Sequence, residues 1–331
     1  MASVYLTTTA DNGLVPTSHD DYLRMLDSAQ HDRYRRHPLV ERPEEADIIL
    51  FVGSLESDFW DVRRHPLVRR FPDRCFLYHG EDLILPFLPG VYPSLQARDN
   101  LLGRAVAGGY TAVLHVDIPF LPFKPDAKYL FSFRGTFASH PRSREPLRQL
   151  MDHPRGLVVD LSTETRTGSV HAPGEHRRTY IDLLRETKFA LCPRGRSPSS
   201  WRLFETLAAG RVPVIMGDAW MPPPITPNWD SFAIRVREKD LRHVPSILEE
   251  READAEALSV RAREVWDDWF SMEAFFHRTV DWCVELQARR RLGERYARHV
   301  MLAAFLRPFN IRNFLLPRAK TLALNGLKAR G

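Results

Sequence analysis

The residues best placed to do chemistry form a short basic loop in the second half of the chain, Pro193–Ser200. Arg194 and Arg196 lie in this loop, and Arg202 follows two residues after its end. Basic side chains disfavour the start of a helix, because the helix dipole already places roughly half a positive charge there. A bound anion removes that conflict, and the free backbone amides of a helix start would also bind it. The loop therefore predicts an anion site, and a diphosphate fits it best.

A strand, a helix and a second strand must position this loop. The apolar segments Lys188–Cys192 and Val212–Met216 predict two buried strands. Between them apolar residues recur at helical spacing, with Ser199 or Ser200 placed to cap the start of the helix and Gly210 to end it. In open α/β sheets ligands bind beyond the carboxyl ends of the strands. This order of elements therefore places the loop where a ligand would bind.

A carboxylate follows on the same helix. Glu205 comes three residues after Arg202 and so lies on the same side of the predicted helix. It is placed there to accept hydrogen bonds from the two ribose hydroxyls of a nucleotide. An ion pair between Glu205 and Arg202 on a solvated face explains the same spacing, since such surface pairs are common and weak. The residues alone leave both interpretations open.

The composition is typical of a globular protein with room for two domains. The chain has 331 residues, of which 44% are hydrophobic. It has no run of about eighteen apolar residues and no charged-then-apolar leader, which predicts a cytoplasmic protein without a spanning helix or secretory signal. Cys75, Cys192 and Cys283 form no Cys-x-x-Cys pair. We therefore expect neither a disulfide nor a structural zinc.

The net charge of +5 does not by itself indicate nucleic acid. Without zinc-ligand spacing, an RNP-like aromatic motif or a basic-region heptad, we expect acidic small ligands instead. Much of the excess charge follows Glu294, after which the chain contains no acidic residue. The segment Met301–Gly331 alternates apolar and basic residues, a composition suited to peripheral contact with an anionic membrane surface. Packing across the first domain is slightly favoured over that contact, and self-association and partial disorder also stay open.

The apolar segments fall into two series, which predicts two α/β domains. Residues 1–125 form the first domain, with predicted strands at Val4–Leu6, Ile48–Val52, Phe76–Tyr78 and Val113–Val116. Residues 126–290 form the second, with predicted strands at Tyr129–Phe133, Leu157–Leu161, Lys188–Cys192, Val212–Met216 and Phe232–Val236. The proline-bearing segment Asp117–Lys128 is interpreted as an exposed, stiff linker between them. Helical patterns fill Val244 to about Leu292, and residues 291–331 form a basic amphipathic extension.

Several segments together resemble the exostosin family of glycosyltransferases, in particular its short bacterial members. The resemblance covers most of the chain and rests on Phe131–Gly135, Tyr180–Leu184, Lys188–Gly195, Ser200–Glu205 and Gly210–Ile215, with a weaker match at Glu44–Asp47. Each segment is weak alone, but the ordered set is fairly specific. The resemblance implies two facing Rossmann-like domains of the GT-B type.

The same resemblance implies an inverting transfer from a nucleotide sugar, usually a UDP-sugar, to a hydroxyl group without an essential metal. The acceptor could be a glycan, a lipid-linked saccharide or a small molecule. Metal-dependent glycosyltransferases commonly hold a cation with an Asp-x-Asp pair, and no such pair occurs in this sequence. Arginines and a helix start would then have to stabilise the leaving diphosphate.

Site residues carry over from the resemblance position by position. It implies a diphosphate site lined by Arg134, Gly135, Arg194, Ser199, Ser200 and Arg202. Glu205 would bind the ribose. Asp218, in the loop after the second strand, would reach the sugar hydroxyls, although an Asp beside Gly217 is equally typical of a turn.

An inverting transfer also needs a base that takes the acceptor proton, and in this architecture it should come from the first domain. His79, Glu81 and Asp82 lie just beyond a predicted strand. Asp82 is the first choice, followed by Glu81 and His79, although a polar turn that caps the next element explains the same residues. His115 and Asp117 form a second, less favoured pair.

Three alternatives stay open at this point. The first is a catalytically silent protein of the same fold that binds a nucleotide sugar or an acidic glycan. The second is a GDP-fucose-dependent fucosyltransferase of similar architecture, although the turn Cys192–Gly195 fits exostosins better. The third is nucleic-acid binding through the positive charge, which predicts an affinity that falls steeply with salt.

Overall fold

The structure, a computed structural model, describes residues 1–8, 16–53, 62–82, 84, 86–115, 117–163, 174–220, 222, 227–304 and 306–312. Within these residues the chain forms two β-sheets of five strands each, and every strand pairs in parallel with its neighbours. Helices connect the strands. The predicted fold class, α/β with two Rossmann-like domains, is confirmed.

The first sheet has the strand order β1-β2-β3-β4-β5. Its strands are β1 Val4–Thr8, β2 Ile48–Gly53, β3 Cys75–His79, β4 Gly90–Val91 and β5 Ala105–Val106, and its helices are α1 Pro16–Gln30 and α2 Pro66–Arg70. Every residue of β2 and β3 is buried. Strands covered on both faces need continuous apolar runs, which is why these two were predictable from the sequence.

One predicted strand of this sheet is wrong. The segment Val113–Val116 does not form a strand in its described part, since Thr111–Val113 is a 3-10 helix and Val116 lies outside the described residues. Strands β4 and β5 take that side of the sheet instead. Each has only two residues, too few to show any periodicity in the sequence.

The second sheet has the strand order β10-β9-β8-β6-β7. Its strands are β6 Tyr129–Gly135, β7 Gly156–Asp160, β8 Thr187–Pro193, β9 Val212–Met216 and β10 Ile234–Arg235. All five predicted strands are present, with ends within two residues of the predicted ones. Helices of this half are α3 Pro141–Arg144, α4 Glu175–Arg185, α5 Trp201–Ala208, α6 Val244–Glu250 and α7 Ala255–Val265. Helix α5 joins β8 to β9, as the sequence predicts.

A buried arginine fastens the connection between the two sheets. Arg211 donates hydrogen bonds from Nε to the carbonyl of Leu184 at 2.8 Å, from Nη1 to Leu121 at 2.7 Å and from Nη2 to Pro122 at 2.9 Å. Leu121 is buried with it. The centre of the segment Asp117–Lys128, which was predicted as an exposed linker, is therefore fixed against the protein by Arg211.

The C-terminal helices return to the first sheet. Helix α8, Met272–Ala288, packs on α1, β2 and β4, and it buries Phe275, Val280 and Trp282 in the same apolar core as the first sheet. This helix lies in the range predicted for the second domain, residues 126–290. The chain thus crosses from the first sheet to the second and back again.

The predicted extension, residues 291–331, is described from 291 to 304 and from 306 to 312. It contains α9 Glu294–Ala304 and α10 Pro308–Asn310. Glu294 forms a buried ion pair with Arg104, just before β5, with Nε and Oε1 3.2 Å apart. The described part therefore packs on the first domain. None of the described helices is both long enough and apolar enough to cross a bilayer.

Candidate active site

A cavity of about 320 Å³ lies between the loops of the two sheets. The first domain contributes Asp82 and Tyr110 to its wall. The second domain contributes the loops after β6 and β8 and the first residues of α5. Six of the residues predicted from the sequence line it: Asp82, Gly135, Ser199, Ser200, Arg202 and Glu205. Eight further residues complete the lining: Tyr110, Thr136, Ser139, Arg144, Gly195, Arg196, Ser197 and Trp201.

The start of helix α5 forms the floor of the second-domain side. Of the two predicted capping residues it is Ser200 that caps the helix, since its Oγ accepts a hydrogen bond from the backbone N–H of Arg202 at 3.3 Å. Ser199 is buried beside it and lines the cavity. The helix ends as predicted at Gly210, whose φ of +66° is a left-handed conformation that favours glycine. The free amides of α5 thus lie at the cavity wall.

Arg202 is held rigidly by aromatic rings. Its side chain is only 8% exposed, and its Cζ lies 4.6 Å from the ring centre of Phe133 and 5.5 Å from that of Tyr180. Gly135 makes room for it, because a Cβ at that position would lie 3.0 Å from Arg202 Nη1. Its Nε has no hydrogen-bond partner among the described residues. A fixed, incompletely bonded guanidinium is well suited to binding an oxyanion.

Glu205 is fully buried yet contributes to the cavity wall. Burial raises the pKa of its carboxyl to about 7, although the charge of Arg202 and a hydrogen bond with Tyr180 oppose that rise. Near neutral pH the carboxylate and the acid are therefore present in similar amounts. The solvated surface pair with Arg202 that the spacing left open is excluded, because both side chains are buried.

Arg144 was not predicted from the sequence as a site residue. Its buried guanidinium donates to the carbonyl of Arg194 at 2.8 Å, of Thr136 at 2.7 Å and of Pro193 at 3.3 Å. Burial, and to a smaller extent the charge of Arg202, lowers its pKa to about 9. Arg144 thus ties the loop after β6 to the loop after β8 and adds positive charge to the cavity.

Tyr110 was also missed, and it links the two domains. Its hydroxyl lies 3.1 Å from Ser94 Oγ in the first domain and 3.2 Å from Ser197 Oγ in the second. Burial raises the pKa of Tyr110 to about 12, so this hydroxyl keeps its proton at neutral pH. No sequence signal marks the pair, since 87 positions separate Tyr110 from Ser197. Asp82, which is half-buried, lies on the same side of the cavity.

The other base candidates lie elsewhere. His79 is the last residue of β3 and fully buried, and neither it nor Glu81 lines the cavity. His115 Nε2 lies 3.5 Å from Asp27 Oδ2 in a different surface depression. Asp117 is almost fully exposed beside Arg177. Asp82 is therefore the predicted base that the structure brings to the cavity.

Three residues predicted for the donor site also lie outside the cavity lining. Arg134 Nη2 lies 3.5 Å from His176 Nδ1. Arg194 donates from Nη2 to the carbonyl of Arg196 at 3.3 Å, and burial lowers the pKa of Arg194. Asp218 is exposed, and its Oδ1 accepts the backbone N–H of Glu238 at 3.1 Å. Glu238 is the first residue of a 3-10 helix, Glu238–His243, so this side chain bonds a distant segment and does not line the cavity.

A separate group of side chains has the residue types of a metal site. His37, His277 and Asp281 have ligand atoms within 4.8 Å of one another among the described residues. However, His37 Nδ1 accepts the backbone N–H of Ala2 at 3.2 Å, so its Nε2 carries the proton and donates to Asp281 Oδ1 at 3.0 Å. That nitrogen has no lone pair for a cation. These residues fit a hydrogen-bonded cluster, and a metal-independent reaction stays a prediction.

Comparison with known proteins gives a consistent result. Residues 110–251 match the exostosin GT47 domain, a region that contains every cavity-lining residue except Asp82. Exostosin-1 of Drosophila melanogaster is 26% identical over 304 residues, which cover 78% of this chain and 39% of the fly protein. An exostosin-1 homolog of Caenorhabditis elegans is 40% identical over 230 residues, covering 60% of this chain and 58% of the nematode protein.

A plant protein gives a third similarity. The "Probable beta-1,4-xylosyltransferase IRX10L" of Arabidopsis thaliana is 27% identical over 194 residues, covering 53% of this chain and 44% of the plant protein. The chain thus spans about half the length of these curated relatives.

Proposed function

Since the chain belongs to the exostosin family of glycosyltransferases, we propose that it transfers a sugar from a nucleotide sugar to a hydroxyl group of an acceptor, with inversion and without a metal. The observation that carries this proposal is the cavity between the sheets. A helix start and a buried arginine meet there on one side, and Asp82 faces them from the other domain. A donor on one wall and an acceptor on the other would react in the space between.

The donor diphosphate would bind at the start of helix α5. The amides of that helix and the guanidinium of Arg202 are oriented before any ligand arrives, because Ser200 caps the helix and two aromatic rings hold the arginine. Donors fixed in this way stabilise the negative charge that develops on a leaving diphosphate. We infer that the α5 amides and Arg202 neutralise the diphosphate charge, as a divalent cation does in metal-dependent enzymes. A UDP-sugar is the proposed donor on the family resemblance.

Glu205 would bind the ribose in its carboxylate form, which accepts hydrogen bonds from both hydroxyls. With a pKa of about 7, it is ionised in about half of the molecules near neutral pH. Binding of the ribose would favour the ionised form further. This assignment makes donor affinity depend on pH.

Asp82 would act as the general base. It takes the proton of the acceptor hydroxyl while the acceptor oxygen forms a bond to the anomeric carbon of the donor sugar. The bond from that carbon to the diphosphate oxygen breaks, and the nucleoside diphosphate leaves with the electron pair. Attack from the face opposite the leaving group inverts the anomeric centre.

Calorimetric titration without metal, in the presence of a chelator, tests the donor site. We expect micromolar binding of UDP or UDP-sugars that Arg202→Ala and Glu205→Ala both weaken. Arg178→Ala is the matched control, because Arg178 is exposed on α4 and lines no part of the cavity. Preference for GDP-fucose would indicate a fucosyltransferase instead. No nucleotide binding, or binding that ignores both substitutions, would refute the proposed donor site.

A second measurement separates an enzyme from a silent binding protein. Donor hydrolysis and transfer to a panel of saccharide and lipid-linked acceptors would be followed for the wild type and Asp82→Asn. Turnover that the substitution removes while donor binding persists supports catalysis. Donor binding without turnover towards any acceptor would favour the silent binding protein.

A further inference from the structure

Helix α9 carries an apolar stripe on its outer surface. Its inner face is buried through Ala297 and Met301, whereas Tyr296 is 70% exposed and Val300 40%. Tyr296 and Val300 are four residues apart and so share one face of the helix. Leu306, just beyond the helix, is also 70% exposed. Grouped exposed apolar side chains commonly mark an interaction surface.

An arginine-rich cavity adjoins the same helix. It has a volume of about 370 Å³ and is lined by Arg63, Arg64, Arg69, Phe87, Arg298 and His299, the last two from α9. None of these four arginines forms an ion pair with a described carboxylate. The Cζ of Arg63 lies 5.6 Å from the ring centre of Phe87, which forms an apolar wall. The cavity shares no residue with the interdomain cavity.

Four guanidinium groups around one cavity repel one another, and an oxyanion between them would offset that repulsion. Guanidinium groups match phosphate oxygens in geometry as well as in charge. Arg295 and His299, both exposed and four residues apart, share a side of α9, and His299 lies three residues after Tyr296 of the stripe. An apolar stripe flanked by bases is typical of a helix that lies on an anionic membrane.

We propose that this face of the protein docks on an anionic lipid bilayer. The arginine-rich cavity binds lipid phosphate, and the apolar stripe enters the headgroup region. Two copies of this face would repel each other, because each would bring the four arginines that line its cavity. A soluble phosphate would satisfy the arginines but leave the stripe exposed. An anionic bilayer offers phosphate to the arginines and an apolar region to the stripe. The proposal does not depend on the transferase activity.

Sedimentation of the full-length chain with lipid vesicles tests this docking. Vesicles of phosphatidylcholine alone would be compared with vesicles that contain about one third phosphatidylserine. We expect about tenfold stronger binding to the anionic vesicles, falling as NaCl rises from about 0.1 M to about 0.5 M. Arg64→Gln with Arg298→Gln should weaken binding about tenfold. Tyr296→Ser with Val300→Ser should weaken it several-fold.

The matched control is Arg178→Gln with Arg235→Gln, which removes the same charge from exposed positions of the second domain. An equal loss in this control would show a non-specific charge effect and overturn the proposal. Equal binding to both kinds of vesicle would overturn it too. So would full displacement by inorganic phosphate, which indicates a soluble ligand, or a dimer that Tyr296→Ser dissociates, which indicates a second copy. An unchanged far-UV circular dichroism spectrum and an unchanged urea-unfolding midpoint would show that each variant is folded.

Discussion

Two groups of largely buried ionisable side chains can be compared directly, the interdomain cavity and the cluster of His37, His277, Asp281 and Asp32. In the cluster, Asp281 accepts from His37 at 3.0 Å and lies 3.3 Å from Nε2 of His277. The other nitrogen of His277 lies 3.6 Å from Asp32. Each ring thus faces a carboxylate, and the cluster joins the chain before β2 to helix α8.

The cavity is arranged differently. Arg144 and Arg202 are both buried there, and Glu205 beside them is ionised only in part at neutral pH. Positive charge is therefore in excess before any ligand binds. Removing one partner of a buried, paired group leaves an uncompensated charge and destabilises the fold, whereas unbalanced buried charges mark a candidate ligand site. Substitutions in the two groups should therefore affect different properties.

Asp82→Asn is expected to have the largest effect. Loss of a general base lowers kcat by about 10²–10⁴-fold, while donor affinity changes little because Asp82 lies on the other wall of the cavity. Steady-state kinetics with calorimetry measure both quantities. A large loss of donor affinity would place Asp82 in the donor site. That result would contradict the assignment of donor and acceptor to opposite walls of the cavity.

Arg202→Met tests whether the cavity is built for binding and not for stability. Removing a charge-assisted hydrogen bond to the diphosphate should cost about 1.5–3 kcal/mol of donor affinity. The free energy of unfolding should stay equal or rise, because an uncompensated buried charge is replaced by an apolar chain. Calorimetry and urea unfolding are the measurements, with Arg178→Met as control. A marked loss of stability would contradict the comparison.

Asp281→Asn should show the opposite behaviour. Burial would raise the pKa of Asp281, but hydrogen bonds from His277 and His37 outweigh it and hold that pKa below its ordinary value. Its stabilisation is complete above the unfolded pKa, about 4, and is lost as the pH falls below it. We expect the variant to lose about 1–2 kcal/mol of unfolding free energy at neutral pH and to keep its kcat. Asp230→Asn, at an exposed position, is the control.

Glu205 gives the smallest expected effect. Its contribution to the unfolding free energy changes with pH in the direction opposite to that of Asp281. Because its pKa is raised to about 7, donor affinity should fall about tenfold as the pH decreases from about 8 to about 6. The wild type should be less stable than Glu205→Gln above pH 7, with the difference shrinking as the pH falls towards the unfolded pKa. A UDP-sugar titrated at several pH values measures the first effect. A flat profile would mean that the carboxylate does not contact the donor.

The second-domain side of the cavity was predictable because it is local in the sequence. Strand, loop, helix and strand follow one another from Thr187 to Met216, and hydrophobic periodicity and turn residues define each of them. The capping alternative between Ser199 and Ser200 needed coordinates, since either hydroxyl has a suitable position. The sequence also does not show whether Arg134 faces the cavity, because residues alternate between the two faces of a strand.

The first-domain side was less predictable because distant contacts assemble it. Tyr110 meets Ser197 across 87 positions, and strands β4 and β5 are too short for a periodic signal. The sequence ranks Asp82 before Glu81 and His79 but cannot show which of them reaches the cavity, and the structure places Asp82 in its lining. The hydrophobic pattern of α8 predicts a buried face but does not indicate which of the two sheets that face covers.

The path of α8 has a consequence for synthesis of the protein. A nascent chain emerges from the ribosome with its N-terminus first. Strands β1 to β5 therefore emerge long before Phe275 and Trp282, which complete the core of the first sheet. The second sheet has all its strands by then. The N-terminal half therefore finishes folding last, and until then it presents uncovered apolar surface to chaperones. A polypeptide that stops at residue 125 should aggregate, however complete its strands are.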